Sequence, residues 1–417
     1  MSSVRNYILV TAAYWAFTLT DGALRMLVLL HFHRLGYTPL ELAFLFLFYE
    51  FFGVVTNLVG GWIAANVGLR ATLLSGLALQ VVALAMLSLL DPDWARTASV
   101  AFVMSAQALS GIAKDLTKMS SKSAIKVLLP EDAHSSLFKW VAVLTGSKNA
   151  LKGAGFFLGS FLLEALGFRY ALVGMAGGLV LALVGTTVFL PREMGRAKSK
   201  KKLRGILSKS REINVLSAAR FFLFGARDIW FVVGVPVFLS VQLDWGFTQV
   251  GGFLAAWVIG YGIIQSGAPA VISRFTGGRA PQRVSAQVLA FLLAGVMASV
   301  ALGVASGVRT DVVVLGGLGL FGVVFAINSS VHSYLILAYS DGDDVALNVG
   351  FYYMANAAGR LVGTLLSGLM YQVGGLAACL WTSMAFALGA GLLALLLPRV
   401  RAVGMMSEMK AESGGGD

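Results

Sequence analysis

Ionisable side chains interrupt the long apolar stretches of this sequence, and most of them are basic. The basic residues are Arg25, Lys114, Lys118, Lys148, Lys152, Arg227 and Arg360, and the acidic ones are Asp21, Glu50, Asp115 and Asp228. A charge inside a bilayer is costly unless it faces water or a partner, so these residues predict a polar interior. The excess of cations indicates an anionic ligand, because the Arg fork matches carboxylate or phosphate groups and Lys acts as a movable point charge.

The lysines have helical spacing. Lys114, Lys118 and Lys122 are four residues apart in SGIAKDLTKMSSKSAIK, and Lys148 and Lys152 are four apart in TGSKNALKGAG. Each set therefore forms a stripe along a helix, and such a stripe is expected to face water or an anion rather than lipid. Direct contact with the ligand and internal ion pairing both remain open. The lysines expected at the aqueous interface are Lys122, Lys126 and Lys139.

The acidic residues have two interpretations. Asp21 and Arg25 are one helical turn apart and Arg227 precedes Asp228, so each couple is predicted to pair within its own helix. Alternatively, Asp21, Glu50, Asp115 or Asp228 binds and releases a proton. Glu50 is the best single candidate because it has no basic residue within one turn. His332 and Tyr334 are further candidates to line the polar site, although a lone His is more often a packing residue.

The composition is that of a membrane protein. Of the 417 residues, 58% are hydrophobic and 12% are charged, and the mean hydropathy is +0.81. About 20 apolar residues cross a bilayer, so the length holds twelve spans and leaves no room for a soluble catalytic domain. Cys379 is the only cysteine, which excludes an internal disulfide and a thiolate metal cage. Motifs for nucleotide binding, metallopeptidase or hydrolase chemistry do not occur, so neither an enzyme nor a cofactor is expected.

Apolar runs bounded by Gly, Pro or charge predict twelve transmembrane helices. Their approximate bounds are 7–30, 39–65, 71–90, 97–122, 134–164, 169–190, 213–240, 248–273, 283–305, 311–339, 344–371 and 376–397. The first run is too long and too polar for a cleaved signal peptide, so it is predicted to be retained.

A basic segment divides the predicted helices into two sets of six. Residues 192–212 hold nine Lys or Arg residues and two Glu, and such segments stay on the cytoplasmic side of a membrane. Both termini are then cytoplasmic, in a protein of the inner cell membrane. The predicted organisation is an N-terminal bundle at 1–191, a linker at 192–212, a C-terminal bundle at 213–398 and a cytoplasmic tail at 399–417.

The two predicted bundles look like copies. Gly146, Gly155 and Gly159 recur 204 residues later as Gly350, Gly359 and Gly363, and Asp21 has a counterpart in Asp228. The GxxxG pairs, which are expected to let helices approach closely, are 155/159, 359/363 and 174/178. The predicted fold is therefore an all-α integral membrane protein of two pseudo-symmetric six-helix bundles, with its site near the midplane between them.

Longer stretches carry a family resemblance. AYWAFTLTDGALRMLVLLHFH, FYEFFGVVTNLVGGW, SGIAKDLTKMSSKSAIK and FKWVAVLTGSKNALKGAGFFLG resemble the organoarsenical efflux permeases of arsenic-resistance operons, a branch of the major facilitator superfamily. GGWIAANVGLR is similar to the loop signature of that superfamily, with Gly61, Gly68 and Arg70 in place but Ala65 and Asn66 where an Asp-Arg couple is usual. The glycines of helix five resemble the first part of its antiporter motif, with Ser160 where that motif has Pro.

The resemblance implies the major facilitator fold and export of 1-arseno-3-phosphoglycerate, which glyceraldehyde-3-phosphate dehydrogenase makes from arsenate. The expected partners are this small arseno- and phospho-anion, protons and the lipid bilayer, with a functional link to the dehydrogenase, no nucleic acid and a monomeric state. The alternative is an exchanger that swaps an organophosphate for phosphate through the same cationic cavity. An anion channel and an intramembrane enzyme are the remaining classes.

Overall fold

The computed structural model describes residues 2–128, 134–191, 210–277, 281–307, 309–340 and 345–399. In these ranges every regular element is a helix, which confirms the all-α prediction. The helices are α1 (Ser2–Arg34), α2 (Pro39–Leu45), α3 (Leu47–Val67), α4 (Leu69–Ser88), α5 (Arg96–Leu128), α6 (His134–Phe189), α7 (Arg211–Phe231), α8 (Gly234–Val241), α9 (Phe247–Thr276), α10 (Arg283–Ser306), α11 (Thr310–Ala338) and α12 (Val345–Leu395).

Several predicted features lie outside the described residues. They are most of the linker (192–209), the tail from residue 400, and the side chains of Ala65, Asn66, Lys122, Lys126 and Lys139. Two positions of the superfamily loop signature are described. Gly68 has φ 100° just before α4, and Arg70 donates a 2.8 Å hydrogen bond to the Thr187 carbonyl, which ties the start of α4 to the end of α6.

Two of the helices contain a turn. α6 has a non-helical Gly167 with φ 76°, and α12 has Gly374 and Gly375, the latter with φ 61°. Glycine adopts positive φ without the steric cost that other residues have, so the chain reverses there within one or two residues. Across the α12 turn, the Cys379 thiol lies 3.6 Å from the Ser367 carbonyl, which shows that the two arms pack against each other.

The predicted seventh helix is broken into α7 and α8. Pro236 has no amide hydrogen for the Val232 carbonyl, so the helical ladder is interrupted just before α8. At the same break, the amides of Val233 and Gly234 each donate a 3.1 Å hydrogen bond to the Ser367 hydroxyl of α12. A similar break at Phe46 separates α2 from α3.

The described helices are consistent with the twelve predicted spans. Joining α2 to α3 and α7 to α8, and dividing α6 and α12 at their turns, gives twelve segments in the predicted order. Within the described ranges, eight stretches are long and apolar enough to cross a membrane, and the longest, Lys148–Phe189 and Asn348–Leu395, contain 42 and 48 residues. Each of these two is about twice the length that one crossing needs.

Glycine packing repeats between the two halves. A Cβ atom at Gly155 or Gly159 of α6 would lie 2.5 and 2.1 Å from the carbonyl oxygens of Leu19 and Ala23 on α1. A Cβ atom at Gly359 or Gly363 of α12 would lie 2.1 and 2.8 Å from the carbonyls of Phe221 and Gly225 on α7. The two predicted GxxxG contacts are therefore present, and they are equivalent in the two halves.

The third GxxxG prediction is wrong. No atom of the described residues lies within 4 Å of a Cβ added at Gly174 or Gly178. These glycines lie on the second arm of α6, which has an outward face, as the exposed Val173 and Leu181 show. Their spacing therefore brings no helix backbone close in this structure.

The halves meet where α9 packs against α6 and where α12 packs against α2 and α3. Gly251 of α9 packs against Ser160 and Phe156 of α6, and Asn149 of α6 donates a 3.3 Å hydrogen bond to Gln265 of α9. On the other side of the molecule, the Leu40 amide of α2 donates to Gln372 of α12. The predicted charged side chains lie between these two contact regions, on α1, α3, α5, α6, α7 and α12.

Candidate functional site

An ion network joins the two halves at Glu50. The Glu50 carboxylate of α3 accepts hydrogen bonds from Arg25 of α1 at 2.5 Å and from Arg360 of α12 at 2.6 Å. Arg360 also donates to Asp228 of α7 at 3.1 Å, and Asp228 pairs with its neighbour Arg227. One guanidinium thus spans two carboxylates from different halves of the chain, a geometry that suits the Arg fork.

This network corrects the sequence analysis in two respects. Arg25 pairs with Glu50 and not with Asp21, while Asp21 accepts a 2.7 Å hydrogen bond from the Tyr49 hydroxyl. Glu50 is therefore not a lone carboxyl group, because partners from α1 and α12 reach it although its own helix offers none. Asp21 is the acidic candidate without an ion pair among the described residues. The predicted couple of Arg227 and Asp228 is present.

A second polar group surrounds Asp115 on α5. Lys118 donates to Asp115 at 2.5 Å and to the amide oxygen of Asn57 at 2.7 Å. Asp115 also accepts a 2.7 Å hydrogen bond from Thr56. This carboxylate is fully buried, whereas the Lys118 side chain is 17% exposed. Lys118 therefore both neutralises a buried acid and presents charge to accessible space.

Lys114 lies between these two groups. Its ammonium is 4.0 Å from the centre of the Tyr49 ring, and it is within electrostatic range of Asp115, Glu50 and Arg360. Gly53 of α3 leaves the space for it, since a Cβ there would be 3.4 Å from the Lys114 ammonium. No carboxylate of the described residues forms an ion pair with Lys114.

Lys152 reaches the network from α6. The carbonyl of Lys152 packs on Gly22 of α1, which sets the side chain beside the α1 charges. Lys152 is within electrostatic range of Arg360, Arg25, Asp21 and Lys114, and it has no ion pair in the part of the chain that the structure describes. Lys148 lies one turn earlier on the same arm of α6 and is half-buried.

Ten of the eleven predicted residues therefore combine into a cluster with a formal excess of positive charge, six basic against four acidic side chains, and Lys148 lies one helical turn before Lys152. Glu50, Asp115 and Asp228 are fully buried, whereas the side chains of Arg227 and Arg360 remain 16% and 14% exposed. The accessible surface of the cluster is thus cationic. Such a surface can bind a small anion bearing carboxylate or phosphate-like groups.

Sequence analysis missed the neutral partners of the cluster. Tyr49, Thr56 and Asn57 hold Asp21, Asp115 and Lys118 in place. Their positions on α3 repeat at the helical period from Tyr49 through Gly53 to Thr56 and Asn57, and this spacing was the available signal.

The aromatic lining of the C-terminal half was also missed. Arg227 lies 5.0 Å from the ring of Phe224, 5.9 Å from Phe231 and 5.6 Å from Phe325. A ring network extends behind them through Trp230 and Trp257 to Tyr261. The faces of Phe224, Phe231 and Phe325 attract the guanidinium and help to hold it in position, and the rings behind them pack against one another.

The two other predicted lining residues lie away from the cluster. His332 of α11 is fully buried, and its electrostatic neighbour is Arg220. Tyr334 is 37% exposed on the same helix. Among the described residues, no group of three or more His, Cys, Asp or Glu side chains is arranged to hold a metal ion.

Comparison with known proteins gives one family and one fold. The model of the Major Facilitator Superfamily matches residues 7–336. The crystal structure of the human organic anion transporter MFSD10 (TETRAN) is similar with a TM-score of 0.64 at 17% sequence identity, covering 94% of this chain and 99% of that one. No curated protein matches the sequence.

Proposed function

The chain belongs to the major facilitator superfamily, and on that premise we propose that it exports a small organic anion by alternating access. The observation that carries the proposal is the cationic cluster between the halves, in which Arg360 and Arg25 share Glu50. The protein of similar fold, MFSD10, is an organic anion transporter, which supports the same substrate class.

The substrate that we propose is 1-arseno-3-phosphoglycerate. The stretches that resemble organoarsenical permeases include the residues of the cluster on α1, α3, α5 and α6. This anion carries an arseno and a phosphate group, so two cationic centres suit it better than one. Export would remove the product that glyceraldehyde-3-phosphate dehydrogenase makes from arsenate, and would thereby give the cell arsenate resistance. In this proposal the protein acts as a monomer in the inner membrane, with both termini cytoplasmic.

The anion binds, in this proposal, by competing with Glu50 and Asp228 for Arg25, Arg227 and Arg360. Lys114, Lys118, Lys148 and Lys152 supply further positive charge from the N-terminal half. When the anion takes over the guanidinium groups, the link between Glu50 and Arg360 is released, and the two halves can separate on one side. Binding is thereby coupled to the conformational change.

Proton antiport is the proposed source of energy, with Asp21, Glu50, Asp115 and Asp228 as the candidate carriers. A proton on Glu50 breaks its ion pairs with Arg25 and Arg360, whereas a proton on Asp21 breaks none among the described residues. Protonated Glu50 no longer competes for the arginines, so electrostatics alone favour binding of the proton and the anion together. Antiport therefore requires that the form carrying both does not change conformation.

Uptake into everted vesicles tests the proposal. The anion is made in place by the dehydrogenase from arsenate, and arsenic entry is measured with and without an imposed pH gradient. We expect saturable uptake that a proton gradient accelerates. Acceleration by phosphate on the opposite side instead would indicate an organophosphate exchanger, and uptake without saturation would indicate a channel.

Lys118→Gln is the matched variant for this assay. It removes the charge at Asp115 and Asn57, and we expect it to abolish arsenate resistance and lower uptake by at least roughly tenfold, the effect of losing a charge-assisted hydrogen bond or two. Arg309→Gln is the control, because Arg309 is a 73% exposed residue paired with Asp311 outside the cluster. Unchanged resistance in Lys118→Gln, with the variant present in the membrane, would remove Lys118 from the site.

A further inference from the structure

The C-terminal half holds a second basic centre apart from the ion network. Arg220 lies on α7 seven residues before Arg227, so it is on nearly the same face of the helix and about 10 Å away along the axis. Arg220 is 4% exposed. The ion pairs that α7 forms in the described ranges involve Arg227 and Asp228, and none involves Arg220.

The contacts of Arg220 leave part of its guanidinium available. One terminal nitrogen donates at 3.2 Å to both the carbonyl and the hydroxyl of Ser329 on α11. The group lies 4.0 Å from the Phe224 ring and 5.0 Å from the Tyr352 ring. Its Nε atom has no hydrogen-bond partner among the described residues. A buried cation without a counter-ion is costly, so its retention calls for a ligand.

Two buried polar residues of α11 flank Ser329, the residue to which Arg220 donates. Asn328 and His332 are one turn apart on either side of Ser329 and are fully buried. Both ring nitrogens of His332 and both amide atoms of Asn328 lack hydrogen-bond partners in the described part of the chain. Buried polar atoms are nearly always paired, so these unpaired polar atoms, which include the Asn328 amide nitrogen and an imidazole N–H, indicate a binding site.

We propose that Arg220, His332 and Asn328 form a second anion site, which takes a phosphate-like or carboxylate group. The inference rests on the proposed function, because the site would serve the same transported anion on its way to or from the central cluster. Arg Nε, an imidazole N–H and an amide NH2 are all donors, and together they match the acceptor oxygens of such a group.

The position of the site supports this role. The Phe224 ring contacts both guanidinium groups, at 4.0 Å for Arg220 and 5.0 Å for Arg227. An anion that leaves Arg227 along this face of α7, toward the start of the helix, therefore meets Arg220 next. The two sites lie in one bundle, so they can bind in sequence while the halves move.

Histidine NMR on the purified full chain, titrated with inorganic phosphate, tests the inference. The chain has four histidines, and His332→Gln identifies the signal of His332. We expect phosphate to shift this signal saturably, and Arg220→Gln to raise the half-saturating concentration by at least roughly tenfold. Arg211→Gln, at an exposed position in the first turn of α7, is the control and should leave the titration unchanged.

Further variants make each outcome decisive. Arg220→Lys keeps a charge and should bind phosphate with intermediate strength, which preserves the test if the Gln variant does not fold. Arg360→Gln should lower anion flux in vesicles and leave the His332 response intact. A His332 signal that phosphate does not move, or that responds equally in Arg220→Gln, overturns the second site, as does loss of the response in Arg360→Gln. An absence of anion flux in the wild type would instead defeat the proposed function itself.

Discussion

The two halves of the molecule share one way of packing helices and carry different chemistry on it. Gly155 and Gly159 bring α6 against α1, and Gly359 and Gly363 bring α12 against α7 in the same manner. The candidate site cations of the N-terminal half are Arg25 and four lysines, whereas those of the C-terminal half are Arg227 and Arg360. The two halves therefore share the same glycine contacts between helices, although the charged residues on those helices differ.

The surroundings of the cations differ as well. In the N-terminal half, Lys118 and Asp115 are held by Thr56 and Asn57. In the C-terminal half, Arg227 is enclosed by aromatic rings and by Asp228. Lysine has a more flexible side chain than arginine, and the aromatic rings restrict Arg227 further. We therefore propose that the C-terminal half is the more rigid anchor for the anion and the N-terminal half the more adaptable one.

Glu50→Gln should have the largest effect, because Glu50 forms the ion pair that joins the two halves. The change leaves Arg25 and Arg360 without their shared carboxylate, and we expect the free energy of unfolding to fall by about 3–5 kcal/mol. Transport should be lost as well. Thermal unfolding in detergent measures the first and vesicle uptake the second. Asp21→Asn is the control for stability, since it weakens a single hydrogen bond from Tyr49 and should lower the free energy of unfolding by about 1 kcal/mol. Equal losses of stability in the two variants would contradict the central position of Glu50.

Gly159→Val and Gly359→Val test whether the packing is truly equivalent. Each added side chain meets a carbonyl oxygen, of Ala23 or Phe221, and we expect both variants to lose about 1–3 kcal/mol of stability. Gly178→Val serves as the control because its position is open, and it should unfold at the wild-type temperature. A large loss of stability in only one of these two variants would show that the glycine contacts of the two halves are not equivalent.

The contrast between arginine and lysine can be sharpened by exchanging them. Arg360→Lys loses the fork that reaches Glu50 and Asp228 together, so we expect uptake to fall about tenfold. Lys118→Arg keeps its charge beside Asp115 and should reduce uptake only a few-fold, by roughly the cost of a conservative change. The ratio of the two uptake rates is the quantity to compare, and a ratio near one would contradict a fixed C-terminal anchor.

The smallest effect is expected from the aromatic lining. Phe224→Leu keeps an apolar side chain but removes the ring that faces Arg220 and Arg227, and we expect a loss of about 1 kcal/mol, or a few-fold in the half-saturating substrate concentration. Concentration-dependent uptake provides the measurement. Phe157→Leu, at an exposed position on α6, is the matched control and should leave this concentration unchanged.

Much of the fold could be predicted from sequence because membrane spans have a strong signal. Long apolar runs fixed the order of the helices, and glycine spacing identified two of three close contacts. The prediction of the major facilitator fold is confirmed. The third glycine pair failed because GxxxG spacing permits an approach without saying whether a neighbour is there, and Gly174 has none among the described residues.

The candidate residues could be predicted, but their partners could not. A charge within an apolar run is visible in the sequence, which is why Arg25, Glu50 and Arg360 were recognised. Spacing along one helix suggested that Arg25 pairs with Asp21, yet the structure pairs it with Glu50 of another helix. Contacts between helices depend on rotation about their axes, and sequence periodicity alone does not determine this. Their roles in binding and proton coupling stay predictions until the variants above are measured.

The break between α7 and α8 also limits how this protein can move. Ser367 accepts hydrogen bonds from the Val233 and Gly234 amides at the break, and Cys379 of the second arm of α12 contacts the carbonyl of the same residue. These contacts stabilise the break between α7 and α8, and we expect α7, α8 and α12 to move together as one rigid unit. We then expect the pivot of this motion where α12 meets the opposite half, at its contacts with α2 and α3.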